Sequence, residues 1–157
     1  MTQAIERVGR APITDQTPPL QDTLIELIEL SLQAKQAHWN VVGPTFKSIH
    51  EFLDVLTDEY RAWYDVVAER LAAIGAAPDG RSATIVAAAP FAQLSAGSIA
   101  DETVISLFDE RITAFAVRLR ERIDQLAETD LASQGILIEI LAGVEKQRWM
   151  LRAHGGA

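Results

Sequence analysis

Residues 37–71, AHWNVVGPTFKSIHEFLDVLTDEYRAWYDVVAERL, decide the fold. The stretch opens on the end of one amphipathic run, breaks at Val41-Val42-Gly43-Pro44 and resumes as a longer run with apolar residues three and four apart. Gly and Pro punctuate a chain most strongly, and Pro suits the first turn of a helix. The stretch therefore reads as a helical hairpin. Its first helix covers about 20–41, with Leu20, Leu24, Ile25, Ile28 and Leu32 as the apolar recurrence and Thr17-Pro18 as cap and first turn. The second covers about 45–74, with a core stripe at Phe46, Ile49, Leu53, Leu56, Tyr60, Trp63, Val67, Leu71 and Ile74 and a stop at Gly75.

Beyond the hairpin, Ala76 to Gly97 contains Pro78, Gly80, Pro90 and Gly97 and reads as a crossover with one short helix after Thr84. A third long helix over about 99–128 carries Val104, Leu107, Phe108, Ile112, Phe115, Leu119, Ile123 and Leu126. A fourth, over about 130–153, is capped by Asp130, stopped by Gly155-Gly156, and holds Ile136, Ile140, Val144 and Leu151 inside. Four long helices with one long connection, between the second and third, fit an all-α, ferritin-like four-helix bundle in which those two helices run parallel. An up-down-up-down bundle is the competing topology. The expected organisation is an N-terminal arm (1–19), the bundle (20–154) and a short tail (155–157).

Composition narrows the chemistry. At 157 residues and 48% hydrophobic content the chain is one domain with a sizeable core. Without cysteine it has no disulfide, no thiolate metal ligand and no thiol nucleophile, so any metal must be held by oxygen or imidazole. Fourteen basic residues against 22 acidic ones give a net charge of −8, the wrong sign for tracking phosphates. The opening residues lack the apolar core of a secretory signal, which points to the cytoplasm. An uncharged run between Arg81 and Asp101 is interrupted by Pro90, Gly97 and polar residues, and reads as a buried connection rather than a membrane span.

Two of only three histidines fall in the deciding stretch, with three carboxylates: His38, His50, Asp54, Asp65 and Glu69. His50 with Asp54, and Asp65 with Glu69, are i,i+4 pairs, each offering two ligands from one helix face. The pairs share that face but lie ~16 Å apart along the axis, so one helix cannot bring them onto one ion. A two-fold dimer can: antiparallel second helices crossing near residue 60 set each His50/Asp54 opposite the partner's Asp65/Glu69. His38 and His50 stand equally far from Pro44 on the hairpin, so His38 joins His50. The ligand stripe is rotated ~100° from the core stripe and faces a neighbour. No Glu-x-x-His occurs in the chain, which disfavours a di-iron centre inside the bundle. The alternative is that these are ordinary carboxylates on a solvated helix and structural histidines.

The run His38-Trp39-Asn40-Val41, then Gly43, Phe46, His50, Asp54, Asp65 and Ala68-Glu69-Arg70, resembles the signature of the Dps family, ferritin-like miniferritins named for DNA protection during starvation. Glu145-Lys146, Trp149-Met150-Leu151 and Arg152-Ala153-His154 are similar to that family's last helix, so the resemblance covers about residues 20–154. It implies a hollow dodecamer built from two-fold dimers. It also implies ferroxidase centres that oxidise iron(II), with hydrogen peroxide as preferred oxidant, and ferric mineral stored inside. His38, His50 and Asp54 would then come from one subunit and Asp65 and Glu69 from the other. Imidazole and carboxylate ligands suit iron(II), and zinc, manganese or cobalt also. Trp39, with Trp63 as second candidate, would quench stray oxidising equivalents; aromatic residues at such spacing also serve as core or interface.

The chain departs from the family in two places. Its arm offers only Arg7 and Arg10 against Glu6 and Asp15, where many members carry a lysine-rich tail. Gly135 stands at the start of the last helix where the family often has a pore-lining acid, leaving Glu128, Asp130 and Glu139 as candidates that could equally be capping or solvated carboxylates. Two other functions compete: a nucleoid-compacting DNA-binding protein, which the charge opposes, and a metal-dependent amide hydrolase, for which the sequence holds no substrate-reading motif. Twelve copies would carry a formal charge of about −96, so DNA binding should be weak or absent. Assembled protein is expected to leave plasmid DNA unshifted in a gel at ~150 mM salt; a tight complex there would refute indirect protection.

Overall fold

A computed structural model describes residues 17–154, so the N-terminal arm up to residue 16 and the tail 155–157 lie outside the described residues. The elements are α1 (Thr17–Asn40), β1 (Val41–Val42), α2 (Phe46–Ala73), α3 (Ser82–Ala88), β2 (Ile99–Ala100), α4 (Asp101–Leu126) and α5 (Leu131–His154). Helix α1 packs along α2, and α4 along α5, forming two hairpins. The four long helices fall within a few residues of the spans read from periodicity, and the short helix is α3. Gly75, at φ +89°, ends α2 in the left-handed conformation that glycine adopts without a Cβ penalty.

A pairing too short to read from sequence decides the topology. β1 and β2 are two residues each and pair in parallel, Val41 with Ile99 and Val42 with Ala100. β1 leads through a tight turn into α2 and β2 leads directly into α4, so both helices start from the same end and run parallel. The ferritin-like arrangement holds and the up-down-up-down alternative falls. The crossover itself corrects one expectation: it is not a buried connection. Between residues 81 and 100 only Ile85 and Ile99 are buried, because the segment runs over the outside of the bundle. It is pinned there by polar contacts. Gln21 exchanges hydrogen bonds with the backbone of Asp79, and Gln33 and Arg111 both donate to the carbonyl of Ala92. No described helix is long and apolar enough to cross a membrane.

The core gathers Leu20, Leu27, Leu30, Ile49, Leu53, Leu56, Tyr60, Leu71, Phe108, Phe115 and Leu119. Two expected core residues are misplaced. Leu32 is 57% exposed, the buried line of α1 running instead through Leu24, Leu27, Leu30 and Ala34; Phe46 is 44% exposed and lies against the His50 ring. Charge also enters the interior. Glu26 is buried and receives a bidentate contact from Arg118 and a 2.5 Å bond from Arg122, tying α1 to α4. Buried charges persist when paired and hydrogen-bonded in this way.

Trp63 of α2 packs closely against α5 at Gly143, where a Cβ would come 2.7 Å from the indole Cη2. Alanine in a helix interior gains up to about 1 kcal/mol over glycine, while overpacking costs about 1–3 kcal/mol, so the clash should win. Gly143→Ala is expected to lower stability by about 1 kcal/mol in urea unfolding and to shift Trp fluorescence; a more stable protein would show that the indole moves aside freely.

Candidate metal centre

The turn between α1 and α2 joins the two helix ends that carry His38 and His50, and a residue far along the chain fixes it. Asp101, the first residue of α4, is buried, and its Oδ2 accepts from the backbone N–H of Thr45 at 2.6 Å and from the Thr45 hydroxyl at 2.5 Å. Its Oδ1 accepts from Glu102 N–H at 2.9 Å. One carboxylate thus serves the N-termini of α2 and α4 together, where unpaired N–H groups and the helix dipole favour negative charge. The hydroxyl and the N–H of Thr45 hold the Asp101 carboxyl below its ordinary range, with burial opposing. Gly43, at φ +142°, lets the turn pass this close: a Cβ there would lie 2.6 Å from Asp101 Oδ2.

Braced in this way, α1 and α2 present His38 and His50 to each other. The rings stack with centroids 3.6 Å apart and planes 21° from parallel. His38 Nδ1 lies 2.8 Å from the backbone carbonyl of His50, and His50 Nδ1 lies 2.8 Å from that of His38. A carbonyl only accepts, so each Nδ1 carries the proton, and in the neutral rings each Nε2 keeps a lone pair. Neither Nε2 has a hydrogen-bond partner among the described residues. This is the arrangement that fixes the tautomer and orientation of metal-binding histidines.

The carboxylates divide. Asp54 joins the histidines, with Oδ1 at 3.3 Å from His38 Nδ1, and is held by the ammonium of Lys35. It therefore sits at the Nδ1 edge of His38, beside a tethered cation, rather than closing a chelate with His50. The hydrogen bond from Lys35 lowers its pKa, burial works against this, and the charge of a protonated His38 adds to the lowering. Asp65 and Glu69 are exposed, and neither side chain has a hydrogen-bond or ion-pair partner among the described residues. Among the described residues, no group of three or more His, Asp or Glu side chains in one chain is placed to hold a metal ion.

Known proteins resemble this chain over most of its length. The ferritin-like domain matches residues 19–156. A DNA protection during starvation protein of Mycolicibacterium smegmatis is 33% identical over 135 residues, covering 86% of this chain and 74% of that protein. The chain belongs to the Dps family of ferritin-like proteins. DNA protection during starvation protein 2 of Deinococcus radiodurans is 35% identical over 92% of this chain, which spans 60% of that relative's length. The solved structure of a Dps from Microbacterium arborescens in its high-iron form superposes with a TM-score of 0.86 at 37% identity, covering 90% of this chain and 93% of that one.

Within this Dps fold the remaining candidates sort by their contacts. Trp39 is 67% exposed beside the histidine pair, whereas Trp63 packs against Tyr60 and Gly143. Asp130 takes a bidentate contact from Arg70 and accepts from the Ser133 N–H, so it caps α5 and bonds α2. Glu128 and Glu139 are exposed. Motif reading missed Lys35 and Asp101, which belong to no ligand spacing and act on the site from α1 and α4.

The sign of the Asp54 shift gives a test. A carboxyl depressed in the folded state favours folding at neutral pH, and that contribution is lost as pH falls below the ordinary carboxylate range. Lys35→Met removes the largest cause, so Asp54 is expected to protonate at higher pH than in the wild type when followed by carboxyl NMR. An unchanged titration would mean that Lys35 does not hold Asp54 in solution.

Proposed function

We propose that this chain is an iron-storage and detoxification protein that oxidises iron(II) at centres shared between two copies. The histidine geometry carries the reading: both imidazoles are locked with Nδ1 protonated, leaving Nε2 to bind a metal. His38, His50 and Asp54 come from one subunit and Asp65 and Glu69 from the other. Support comes from the two unpartnered carboxylates, on the outward side of α2, and from the apolar side chains left open around them. Trp39 and Phe46 flank the histidines, and Val66 adjoins Asp65. Such exposed apolar groups beside a half-built site favour a neighbouring chain.

Iron(II) is the substrate, and imidazole with carboxylate suits it, with zinc, manganese and cobalt as competitors. The backbone carbonyls hold the imidazoles in position, and an arriving dication releases Asp54 from Lys35. Asp65 and Glu69 supply the negative charge that a ferric product needs. With hydrogen peroxide, the favoured oxidant, a pair of iron(II) ions gives up one electron each, the O–O bond breaks, and two protons are taken up to form two waters. Paired transfer avoids releasing hydroxyl radical. The ferric product is stored in a hollow dodecamer in the cytoplasm, and DNA is protected mainly indirectly, through removal of iron and peroxide.

Anaerobic loading with iron(II) followed by peroxide tests this. His50→Ala and Glu69→Ala are each expected to lose most of the oxidation, and wild-type rates in both would remove the centre. The decisive arm mixes the two variants under conditions that exchange subunits. In a mixed dimer one centre joins an intact histidine side to an intact acidic side, so about a quarter of all sites should recover. A centre contained in one chain would recover nothing. Particle mass should fall near about twelve times the 17.2 kDa chain.

A further inference from the structure

The outward face of α2 holds two more charged residues that the proposed centre does not use. Asp58 and Arg61 are exposed, and neither side chain has an ion-pair or hydrogen-bond partner among the described residues. With the ligands they form one stripe: His50, Asp54, Asp58, Arg61, Asp65, Glu69, at spacings of four, four, three, four and four. All six fall within about 100° of helix rotation. The spacing is the same read in either direction, so an antiparallel copy of α2 related by a two-fold axis meets the stripe position for position. His50 then faces Glu69 of the partner subunit, Asp54 faces the partner's Asp65, and Asp58 faces the partner's Arg61.

We propose that Asp58 and Arg61 form a reciprocal pair of ion bridges with a second copy of this chain across the two-fold axis, and that this clasp sets the register of the shared centre. The inference rests on the two-chain reading of that centre. Of the three facing pairs, only this one is neutral by itself; the others place carboxylates where a cation is needed. A slip of one helical turn one way sets Asp58 against the partner's Asp65 and Asp54 against the partner's Glu69, carboxylate on carboxylate. The opposite slip gives Asp54 to the partner's Arg61 and sets Glu69 against Phe46. Opposed like charges count against the first slip more than exposed pairs add affinity, and the second slip takes Glu69 away from His50 and sets it on an aromatic ring. Val55 and Val66, both exposed beside the stripe, supply apolar area on either side of the clasp.

Charge exchange tests the clasp in the full-length protein. Asp58→Arg and Arg61→Asp each place like charges at the axis and are expected to weaken subunit association at least tenfold by ultracentrifugation. The double exchange, Asp58→Arg with Arg61→Asp, restores opposite charges and should return association to within about threefold of wild type. Cobalt(II), used as a silent probe of the centre, should bind weakly to each single variant and normally to the double one. Unchanged association in both single variants, or no recovery in the double variant, overturns the clasp. Recovery of association in the double variant, in a protein whose wild type oxidises no iron, would leave the clasp standing and remove the ferroxidase reading.

Discussion

Two hydrogen bonds between α1 and α2 constrain everything else: each histidine of the pair donates from Nδ1 to the other's backbone carbonyl at 2.8 Å. These bonds hold only if the end of α1 and the start of α2 keep one register to within tenths of an ångström. Five connecting residues cannot guarantee that alone. The turn is therefore tied at two points to the third long helix, through the parallel β1–β2 pairing and through Asp101. The long crossover is the topological cost of this arrangement. It must return the chain to the same end of the bundle so that α4 can start beside α2.

The same economy appears in the charges. Glu26 is buried and saturated by Arg118 and Arg122, and Asp130 is saturated by Arg70 and Ser133. Asp54 is partly neutralised by Lys35, a contact that a stronger cation can displace. Asp65 and Glu69 are left without any partner among the described residues. Glu26 and Asp130 are thus paired within the subunit, while Asp65 and Glu69, which the proposed chemistry requires, are left open.

Much of this was legible in the sequence because helices write themselves in apolar periodicity. Tyr60, Phe108, Phe115 and Leu119 fall where a spacing of three and four puts them, and their burial follows. The errors have a common cause. Leu32 and Phe46 fit a helical period yet are exposed, since periodicity gives a face and not the neighbour that covers it. Glu26 and Arg122 are buried although charged, because a partner far along the chain neutralises them. The crossover's lack of charge suggests burial, but an uncharged segment can also lie across a surface when side chains of the bundle pin its backbone. At the candidate site, the sequence foretold that His38 and His50 meet across the hairpin, and their rings do stack. The restraints on them were not legible: Lys35 and Asp101 carry no motif, and their contacts with the site exist only after α1 and α4 have packed.

The division of the site between the two ends of one helix face follows from helix geometry rather than from any special chemistry. At 1.5 Å per residue, residues 50 and 69 of α2 are separated by about 28 Å, far beyond the reach of any side chain. Bringing all the ligands into one subunit would need a second helix to present the acids, as in bundles that bind metal in their cores. Here the middle of α2 faces that interior with Leu53, Leu56 and Tyr60, and none of its ligand candidates points there. A packed core and an outward ligand stripe are therefore two sides of one solution. The bundle fills its middle with apolar side chains, and the proposed centre lies instead on the outward face of α2, for a second chain to complete.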